Sequence, residues 1–468
     1  MSVLPGRERV VVVGADAAGM SAAHQALRSA RAVGKNIDIV VLEKTFDTSY
    51  SACGIPYLVA GLVDSTDDLV ARTADKHRAM GVDLRLGSTA TAVDLTSRRV
   101  TAESEDGHPS TVPFDKLVLA TGAAPVIPDW ATDQHGRLFG GIRPAKNLDD
   151  ARFWLDLVAL PADGGRARRA VVVGGGYIGV EMAEATLARG FDTTLITRHT
   201  VMSSLDAHMS ERIVAAMRSA GVQVVTDHVV EAAHTVDGHV RSVTTDDGTD
   251  YAADVVVLGL GLRPASELGA GAGLALGEHG GYLPDDRQQV AEGVWAGGDC
   301  CEVFDRIRRR TVFAPLGTHA NKQGRICGHN LVGEERTFAG ILGTAITRFS
   351  AAGVHVEIAR TGLSTTQAAE AGFDAVSLVT DGVTASGYMP ERTPIATNVV
   401  ADRSSRRLLG MQIVGGHQSG KRIDTAAAAL WGEMSVDDLA AMDLSYAPPF
   451  ATAWEAVQLA SRRLADRF

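Results

Sequence analysis

The sequence predicts an α/β fold in which two parallel-sheet domains precede a C-terminal α+β domain. Two segments each repeat the order strand, glycine turn, helix, strand, which is the order of a βαβ unit with a buried parallel sheet. From about residue 336 the pattern changes to short alternating strands followed by helices, which is typical of an α+β domain. The 468 residues suffice for about two to four domains of ordinary size.

The first βαβ segment predicts a dinucleotide site. Glycines at a strand-to-helix turn let backbone N–H groups and the helix dipole face a pyrophosphate. Gly14 and Gly19 keep the outer glycines of that pattern, whereas Asp16 replaces the middle one. Glu43 ends the next strand, where an acid accepts hydrogen bonds from an adenosine ribose. The predicted parts are the strand Arg9–Val13, the turn Gly14–Gly19, the helix Met20–Ser29 and the strand Ile37–Glu43.

The second βαβ segment carries the full glycine pattern, with Gly174, Gly176 and Gly179. No acid ends its second strand, and Arg198 follows directly. A guanidinium in place of a carboxylate suits a 2′-phosphate, so this segment predicts NADPH rather than NADH, with NADH as the alternative. The predicted parts are the strand Ala170–Val173, the helix Val180–Arg189 and the strand Thr193–Thr197.

Further strands and helices complete the expected architecture. Three more strands end in glycine turns, and the tail is expected to hold three strands and two helices. The strand–turn segments are 115–125, 253–264 and 293–299; the tail strands are 375–380, 394–401 and 408–414; the tail helices are 423–432 and 451–464.

The charge balance narrows the range of partners. The chain has 45 Lys and Arg against 56 Asp and Glu, a net charge of −11, which argues against nucleic acid or an anionic membrane as the partner. No apolar run is long enough to span a membrane, and no signal peptide is visible at Met1, so the cytoplasm is the expected compartment. The cysteines and histidines show no metal-ligand spacing, so no metal site is predicted.

Cys53 is the candidate redox residue. It follows the Glu43 strand and precedes an apolar helical run expected from Tyr57, and a thiol at a helix N-terminus has a lowered pKa. With no neighbouring cysteine, its oxidised resting form must be a mixed disulfide with a small thiol or a sulfenic acid. A vicinal disulfide of Cys300 and Cys301 would be strained, so a redox role there is disfavoured, and Cys327 is expected to serve packing.

These residues resemble the single-cysteine flavoproteins of the pyridine nucleotide–disulfide oxidoreductase family. Within it the chain is most similar to coenzyme A disulfide reductases, NAD(P)H polysulfide reductases and NADH oxidases and peroxidases. The similar segments are Cys53–Tyr57, Ala120–Gly122, Gly174–Gly179, Ala296–Asp299 and Pro315–Arg325, with Lys421–Asp424 and Ser445–Pro449 in the tail.

The resemblance implies cofactors, domains and site residues. FAD would contact Gly14, Ala18, Gly19, Glu43, Lys44, Thr121, Gly122 and Asp299; NADPH would contact Gly174, Gly176, Tyr177, Ile178, Gly179, Arg198 and Gly261. The FAD domain would comprise residues 1–135 and 265–335, the NAD(P)H domain 136–264, and a dimerisation domain 336–468. In the implied homodimer, Tyr446, and with it Tyr388, would reach the Cys53 site of the partner.

The function expected from this resemblance is NADPH-dependent reduction of a small-molecule disulfide, persulfide or polysulfide at Cys53, with coenzyme A as one candidate carrier. The alternative is an NAD(P)H oxidase that reduces oxygen through a cysteine sulfenic acid. Two departures bear on the choice: Ala52 stands where bacterial coenzyme A disulfide reductases often have Asn, and the first glycine turn lacks the histidine of the oxidases and peroxidases. A third reading is a reductase that feeds an iron–sulfur protein, which the net charge of −11 disfavours.

Overall fold

The computed structural model describes residues 7–159 and 167–468. The chain forms two compact units. The first unit comprises Met1–Cys53, Ser65–Val126 and Leu262–Ile341; the second comprises Gly54–Asp64, Ile127–Gly261 and Leu342–Phe468. The boundaries of the three expected domains stay a prediction.

The first unit is built on a six-stranded sheet whose central strand, Glu8–Val13, is buried from Val10 onward because its valines face apolar neighbours on both sides. Neighbouring strands pair in parallel, except that the edge strand Gln289–Ala291 pairs antiparallel with Val294–Ala296. The spatial order is Gln289–Ala291, Val294–Ala296, Lys116–Leu119, Glu8–Val13, Ile37–Leu42 and Val82–Arg85.

Helices and small sheets surround this sheet. The helices Ala17–Ala32 and Gly317–Asn330 approach closely because Gly324 has no side chain: a Cβ there would overlap the carbonyl of Ala18. The other helices are Ala74–Ala79 and Glu267–Gly271. The smaller antiparallel sheets are Ser88–Asp94 with Arg99–Ser104 and Pro109–Pro113, Ala123–Pro125 with Leu262–Pro264, and Val303–Asp305 with Arg310–Val312.

The second unit contains a five-stranded parallel sheet with the same glycine turn at its centre. Its spatial order is Gln223–Thr226, Asp192–Thr197, Arg169–Val173, Val255–Leu258 and Ile142–Pro144. An antiparallel sheet of Val230–Val236, His239–Thr245 and Asp250–Ala252 follows in the chain. The helices of this part are Ile55–Ala60, Leu148–Ala159, Tyr177–Ala188 and Ala207–Ser219.

The rest of the second unit is an antiparallel sheet with helices. The spatial order is Ala345–Ala351, Val354–Gly362, Leu408–Gly415, Pro394–Asp402 and Ala375–Val383. The helices are Thr365–Glu370, Ile423–Trp431, Val436–Ala441 and Ala456–Ala465, and single 3-10 turns occur at Ala52–Gly54, Asp67–Leu69, Asp129–Ala131 and Gly420–Arg422.

The predicted fold class is confirmed: two parallel sheets with glycine turns precede an α+β region. The helix predicted for 451–464 is present but begins later, at Ala456, where Glu455 caps it by accepting the N–H of Val457. The strands Ala345–Ala351 and Val354–Gly362 had not been predicted. No helix in residues 7–159 and 167–468 combines the length and the apolar character that membrane crossing needs.

Candidate active site

The first glycine turn is shaped by backbone crowding. Gly14 has φ +105°, and a Cβ on it would overlap the carbonyl oxygen of Ala120 on the neighbouring strand. A Cβ on Gly19 would overlap the carbonyl oxygen of Gly14. Asp16 is extended and precedes the first residue of the helix. The two outer glycines therefore hold the helix N-terminus against the sheet edge, in the arrangement that a pyrophosphate requires.

Glu43 is fixed beside this turn by three donors. Its Oε2 accepts the backbone N–H of Ala15 at 2.8 Å, and its Oε1 accepts the N–H and the hydroxyl of Thr45, both at 2.9 Å. The adjoining Lys44 is exposed. A carboxylate tied to the glycine turn is in place to accept ribose hydroxyls, so the residues fit an adenine dinucleotide. Thr45 was missed in the sequence, where it looks like an ordinary polar residue after a strand.

Two further segments of the first unit border the same sheet edge. Thr121 donates its hydroxyl to the carbonyl of Ala265, and the N–H of Ala265 is bonded to the carbonyl of Gly122 at 3.0 Å. A Cβ on Gly122 would meet nothing within 4 Å. Asp299 is half-buried, and a Cβ on the glycine before it would lie 3.0 Å from the Cβ of Ala18. The unit thus brings the predicted FAD residues to one edge, with open space at Gly122.

The second glycine turn repeats the crowding and adds open space. A Cβ on Gly174, at φ +112°, would overlap the carbonyl of Gly259, and one on Gly179 would overlap that of Gly174. Gly176 is exposed, and a Cβ there would meet nothing within 4 Å. Backbone this open at a helix N-terminus fits a second dinucleotide. A Cβ on Gly261, at φ +94°, would likewise meet nothing within 4 Å.

Near the second turn, the hydroxyl of Tyr177 is buried, whereas the side chain of Arg198 is exposed. The Tyr177 hydroxyl is buried without a hydrogen-bond partner among the described residues, and burial raises its pKa to about 12. Ile178 is half-buried beside it. Arg198 is exposed directly after the strand Asp192–Thr197. An unpartnered buried hydroxyl is costly, so Tyr177 is a position at which a bound group would supply the missing partner.

Glu181 is a half-buried acid that no sequence motif singled out. It lies one turn after Tyr177 and accepts the hydroxyl of Thr347 at 2.7 Å. Burial is the main cause that raises its pKa from 4.5 to about 7, so it can hold or release a proton near neutral pH. Burial also raises the pKa of Glu184 and the pKa of the Tyr57 phenol, and both side chains belong to the same polar group. The signal in the sequence was two acids on an otherwise apolar helix.

Cys53 is exposed in the 3-10 turn Ala52–Gly54. The helix after it begins at Ile55 rather than at Tyr57 and has only six residues. The helical run expected at Tyr57 is present, and it starts slightly earlier, at the fully buried Ile55. The backbone just before Cys53 is held by a hydrogen bond in which the N–H of Ser51 donates to the carbonyl of Leu69 at 2.8 Å.

A buried histidine pair anchors the chain before Cys53. His24 Nε2 and His77 Nδ1 are 2.7 Å apart, and His77 Nε2 lies 3.0 Å from the Ser49 hydroxyl. Burial lowers the pKa of both histidines to about 4, so both are neutral at pH 7. Ser49 has φ +49°, a conformation that needs such support. The sequence shows no sign of this pair, because its members are 53 positions apart.

The other three cysteines are buried, and none of the four forms a disulfide. The sulfurs of Cys300 and Cys301 are 3.9 Å apart, and burial raises the pKa of the Cys301 and Cys327 thiols. Thiols in this state are poor nucleophiles. Cys53 is therefore the cysteine that a solute can reach.

Tyr388 and Tyr446 are both exposed, by 76% and 52%. Their loops are joined, because the N–H of Ser386 is bonded to the carbonyl of Pro448 at 2.9 Å. Arg422 reinforces the joint by donating to the carbonyls of Thr384 and Phe450, each at 2.7 Å. Two exposed tyrosines on one supported surface are typical of a protein–protein or ligand contact.

Comparisons with known proteins agree with this geometry. The pattern of the pyridine nucleotide-disulphide oxidoreductase family matches residues 8–324, and that of its dimerisation domain matches residues 350–457. An "NAD(P)H sulfur oxidoreductase (CoA-dependent)" of Pyrococcus abyssi is 35% identical, over 99% of this chain and 100% of the relative.

Two solved structures are similar over 98% of the chain. One is an NAD-dependent persulfide reductase from A. fulgidus, with a TM-score of 0.90, 31% identity and 83% of that chain covered. The other is an engineered water-forming NADPH oxidase bound to NADPH, with a TM-score of 0.89, 25% identity and 98% of that chain covered.

Proposed function

We propose that this chain, which belongs to the pyridine nucleotide-disulphide oxidoreductase family, uses NADPH to reduce a small-molecule disulfide, persulfide or polysulfide at Cys53. The chain is an NAD(P)H-dependent flavoprotein oxidoreductase. The observation that carries the proposal is the exposure of Cys53 while the other three cysteines are buried. Because Cys53 forms no disulfide within the chain, disulfide exchange at its sulfur requires a thiol or disulfide from outside the chain.

The names of the relatives favour a coenzyme A-type substrate. One relative is a CoA-dependent sulfur oxidoreductase and another similar protein is a persulfide reductase. We therefore propose coenzyme A disulfide or persulfide as the substrate class. Ala52, in place of the Asn common in bacterial coenzyme A disulfide reductases, leaves room for other small carriers.

The chain contributes a nucleophile and its placement. The Cys53 thiolate attacks one sulfur of the disulfide, which releases one thiol and leaves a mixed disulfide on Cys53. NADPH then provides two electrons, which with a proton release the second thiol, so NADPH, H⁺ and RSSR yield NADP⁺ and two RSH. When bound, FAD supplies the electron transfer between nicotinamide and sulfur. The turn at Gly14 and Gly19 and the fixed carboxylate of Glu43 would hold it.

The preference for NADPH is assigned to Arg198. It is exposed at the end of a strand that lacks the usual acid, so it can pair with a 2′-phosphate. The engineered NADPH oxidase offers a parallel, because its substitutions include an Asp-to-Ala change followed at the next position by Ala-to-Arg.

We further propose that two chains pair through the region that matches the dimerisation domain. Tyr388 and Tyr446 would then reach the Cys53 site of the partner. Their exposure and the hydrogen-bonded joint of their loops support this role.

Mass spectrometry of the purified protein tests the resting state of Cys53. We expect an adduct of coenzyme A size that dithiothreitol removes, and we expect Cys53→Ser to lower NADPH-dependent disulfide reduction by about 10³-fold or more, because the nucleophile is lost. Cys327→Ser is the matched control and should keep the activity. A Cys53→Ser protein that reduces disulfides at the wild-type rate would falsify the proposal.

A second candidate function is oxygen reduction, which the similarity to a water-forming NADPH oxidase favours. Oxygen uptake with NADPH alone distinguishes the two. The oxidase is the main activity if one or two molecules of NADPH are consumed per O₂ without added disulfide, and if Cys53 carries a sulfenic acid. We expect slow uptake, because the turn Asp16-Ala17-Ala18 lacks a histidine.

A further inference from the structure

Three side chains converge at one end of the antiparallel sheet in the second unit. His355 and Glu357 are two residues apart on the strand Val354–Gly362, so their side chains share a face. Glu357 is paired with Gly415 on the neighbouring strand. His417 follows Gly415 by two residues and thereby comes to the same place.

The donor atoms of these three residues lie close together. The ligand atoms of His355, Glu357 and His417 all lie within 4.8 Å of each other. The two imidazole rings are stacked, with centroids 3.6 Å apart and planes inclined by 15°. The Nδ1 of His355 contacts the Ser350 hydroxyl at 3.1 Å, which leaves its Nε2, 3.4 Å from Glu357 Oε1, as the ligand atom.

The carboxylate and the loop are held in place without an ion. Glu357 accepts the N–H of Gln418 at 3.2 Å on Oε1 and that of Gly420 at 2.6 Å on Oε2. The carbonyl of His417 accepts the hydroxyl of Thr393 at 3.0 Å. The carboxylate and the loop are thus ordered before an ion binds, and rotation of one stacked imidazole would turn its in-plane lone pair toward the shared ion.

The nearby cationic side chains have acidic partners of their own. Lys421 forms an ion pair with Asp424. Arg348, which is opposite Glu357 in the strand register, lies 3.7 Å from Glu184. Repulsion of an incoming cation is therefore reduced.

We propose that His355, Glu357 and His417 bind one divalent transition-metal ion of the zinc type. Two imidazoles and a carboxylate are a ligand set that Zn²⁺ uses with water in the fourth position. His417 is exposed and borders an open cleft of about 730 Å³, which leaves room for that water. The ion would cross-link the strand to the loop before Arg422. The inference does not depend on the activity at Cys53.

Zinc titration of the untagged, FAD-loaded, full-length protein tests the site. A Cys53→Ser background removes the exposed thiolate, which would bind zinc itself. After treatment with a chelator and its removal, isothermal titration calorimetry should give one Zn²⁺ per chain. His417→Ala and Glu357→Gln should each weaken binding by about tenfold or more, since each removes one ligand.

The matched control is His228→Ala. His228 is close to Asp246 and Asp247 and so forms a second histidine–carboxylate group, but it offers a single imidazole. Its loss should leave the affinity unchanged. Electron paramagnetic resonance of bound Cu²⁺ should show coupling to two imidazole nitrogens, and to one in His417→Ala. Flavin absorbance and metal-free melting establish that each variant is folded.

Two outcomes would overturn the proposal: the absence of stoichiometric binding, or equal weakening by His417→Ala and His228→Ala. His417 is exposed, so its removal does not disturb the core.

Discussion

The two glycine turns are alike where they pack and different where they face solvent. Gly14 and Gly174 both have φ above +100°, and in each a Cβ would overlap the adjacent strand. At the middle position the first turn has Asp16 and the second has the open Gly176. Packing against the sheet therefore requires glycine at the outer positions, whereas the identity of the middle residue can differ with the bound group.

The strand ends and helices differ in the same way. The first unit ends its second strand in an anchored carboxylate, Glu43, and the second ends it near an exposed guanidinium, Arg198. Counted from the first glycine, Ser21 and His24 of one helix correspond to Glu181 and Glu184 of the other. Similar backbone thus supports different electrostatics, which distinguish the two dinucleotide sites.

Substitution of the outer glycines should have the largest effect. Gly14→Ala and Gly174→Ala each place a methyl group on a backbone oxygen at positive φ, and we expect each to cost about 3 kcal/mol or more of folding free energy. Flavin content should fall in Gly14→Ala, and NADP⁺ binding should fall in Gly174→Ala while the flavin remains.

Gly176→Ala is the control for folding, because its Cβ meets no protein atom. Thermal melting, flavin absorbance and calorimetry with NADP⁺ provide the measurements. If Gly174→Ala melted and bound NADP⁺ like the wild type, the shared packing role would be refuted.

The half-buried acid Glu181 should make the stability of the protein depend on pH. With its pKa raised from 4.5 to about 7, Glu181 carries no penalty below pH 4.5, where it is protonated in both folded and unfolded states. As the pH rises from 4.5 to 7 the unfolded state ionises first, so stability is lost, by about 2–3 kcal/mol. Glu181→Gln should abolish this loss.

Melting curves of the holoenzyme between pH 4.5 and 8 compare the two proteins. Glu211→Gln, on the exposed face of another helix of the same unit, is the control and should follow the wild type. A constant difference between wild type and Glu181→Gln across this range would contradict the expectation.

The guanidinium at the strand end should have the smallest effect. Arg198→Ala should raise the KM for NADPH about tenfold, or about 1.4 kcal/mol, and leave NADH unchanged, because only NADPH has a 2′-phosphate. Arg241→Ala, exposed in the same unit, serves as the control. Equal changes for both nucleotides would show that Arg198 does not recognise the phosphate.

Local patterns predicted much of the fold. The buried valines of Glu8–Val13 and Arg169–Val173, and the glycines after them, identify parallel strands and turns in a single stretch of chain. The strands Ala345–Ala351 and Val354–Gly362 escaped prediction because charged residues such as Arg348 and Glu357 interrupt their apolar pattern. Those side chains are satisfied by partners far away in the sequence.

The sequence by itself determined the two glycine turns, the acid Glu43 and the solitary position of Cys53, because each depends on residues that are close in the chain. The tertiary structure alone decided that His24 meets His77, that the pKa of Glu181 is raised, and that His355 and Glu357 meet His417. Such meetings depend on strand register and helix packing, and burial then changes the proton affinity of the groups involved. No local pattern encodes those quantities.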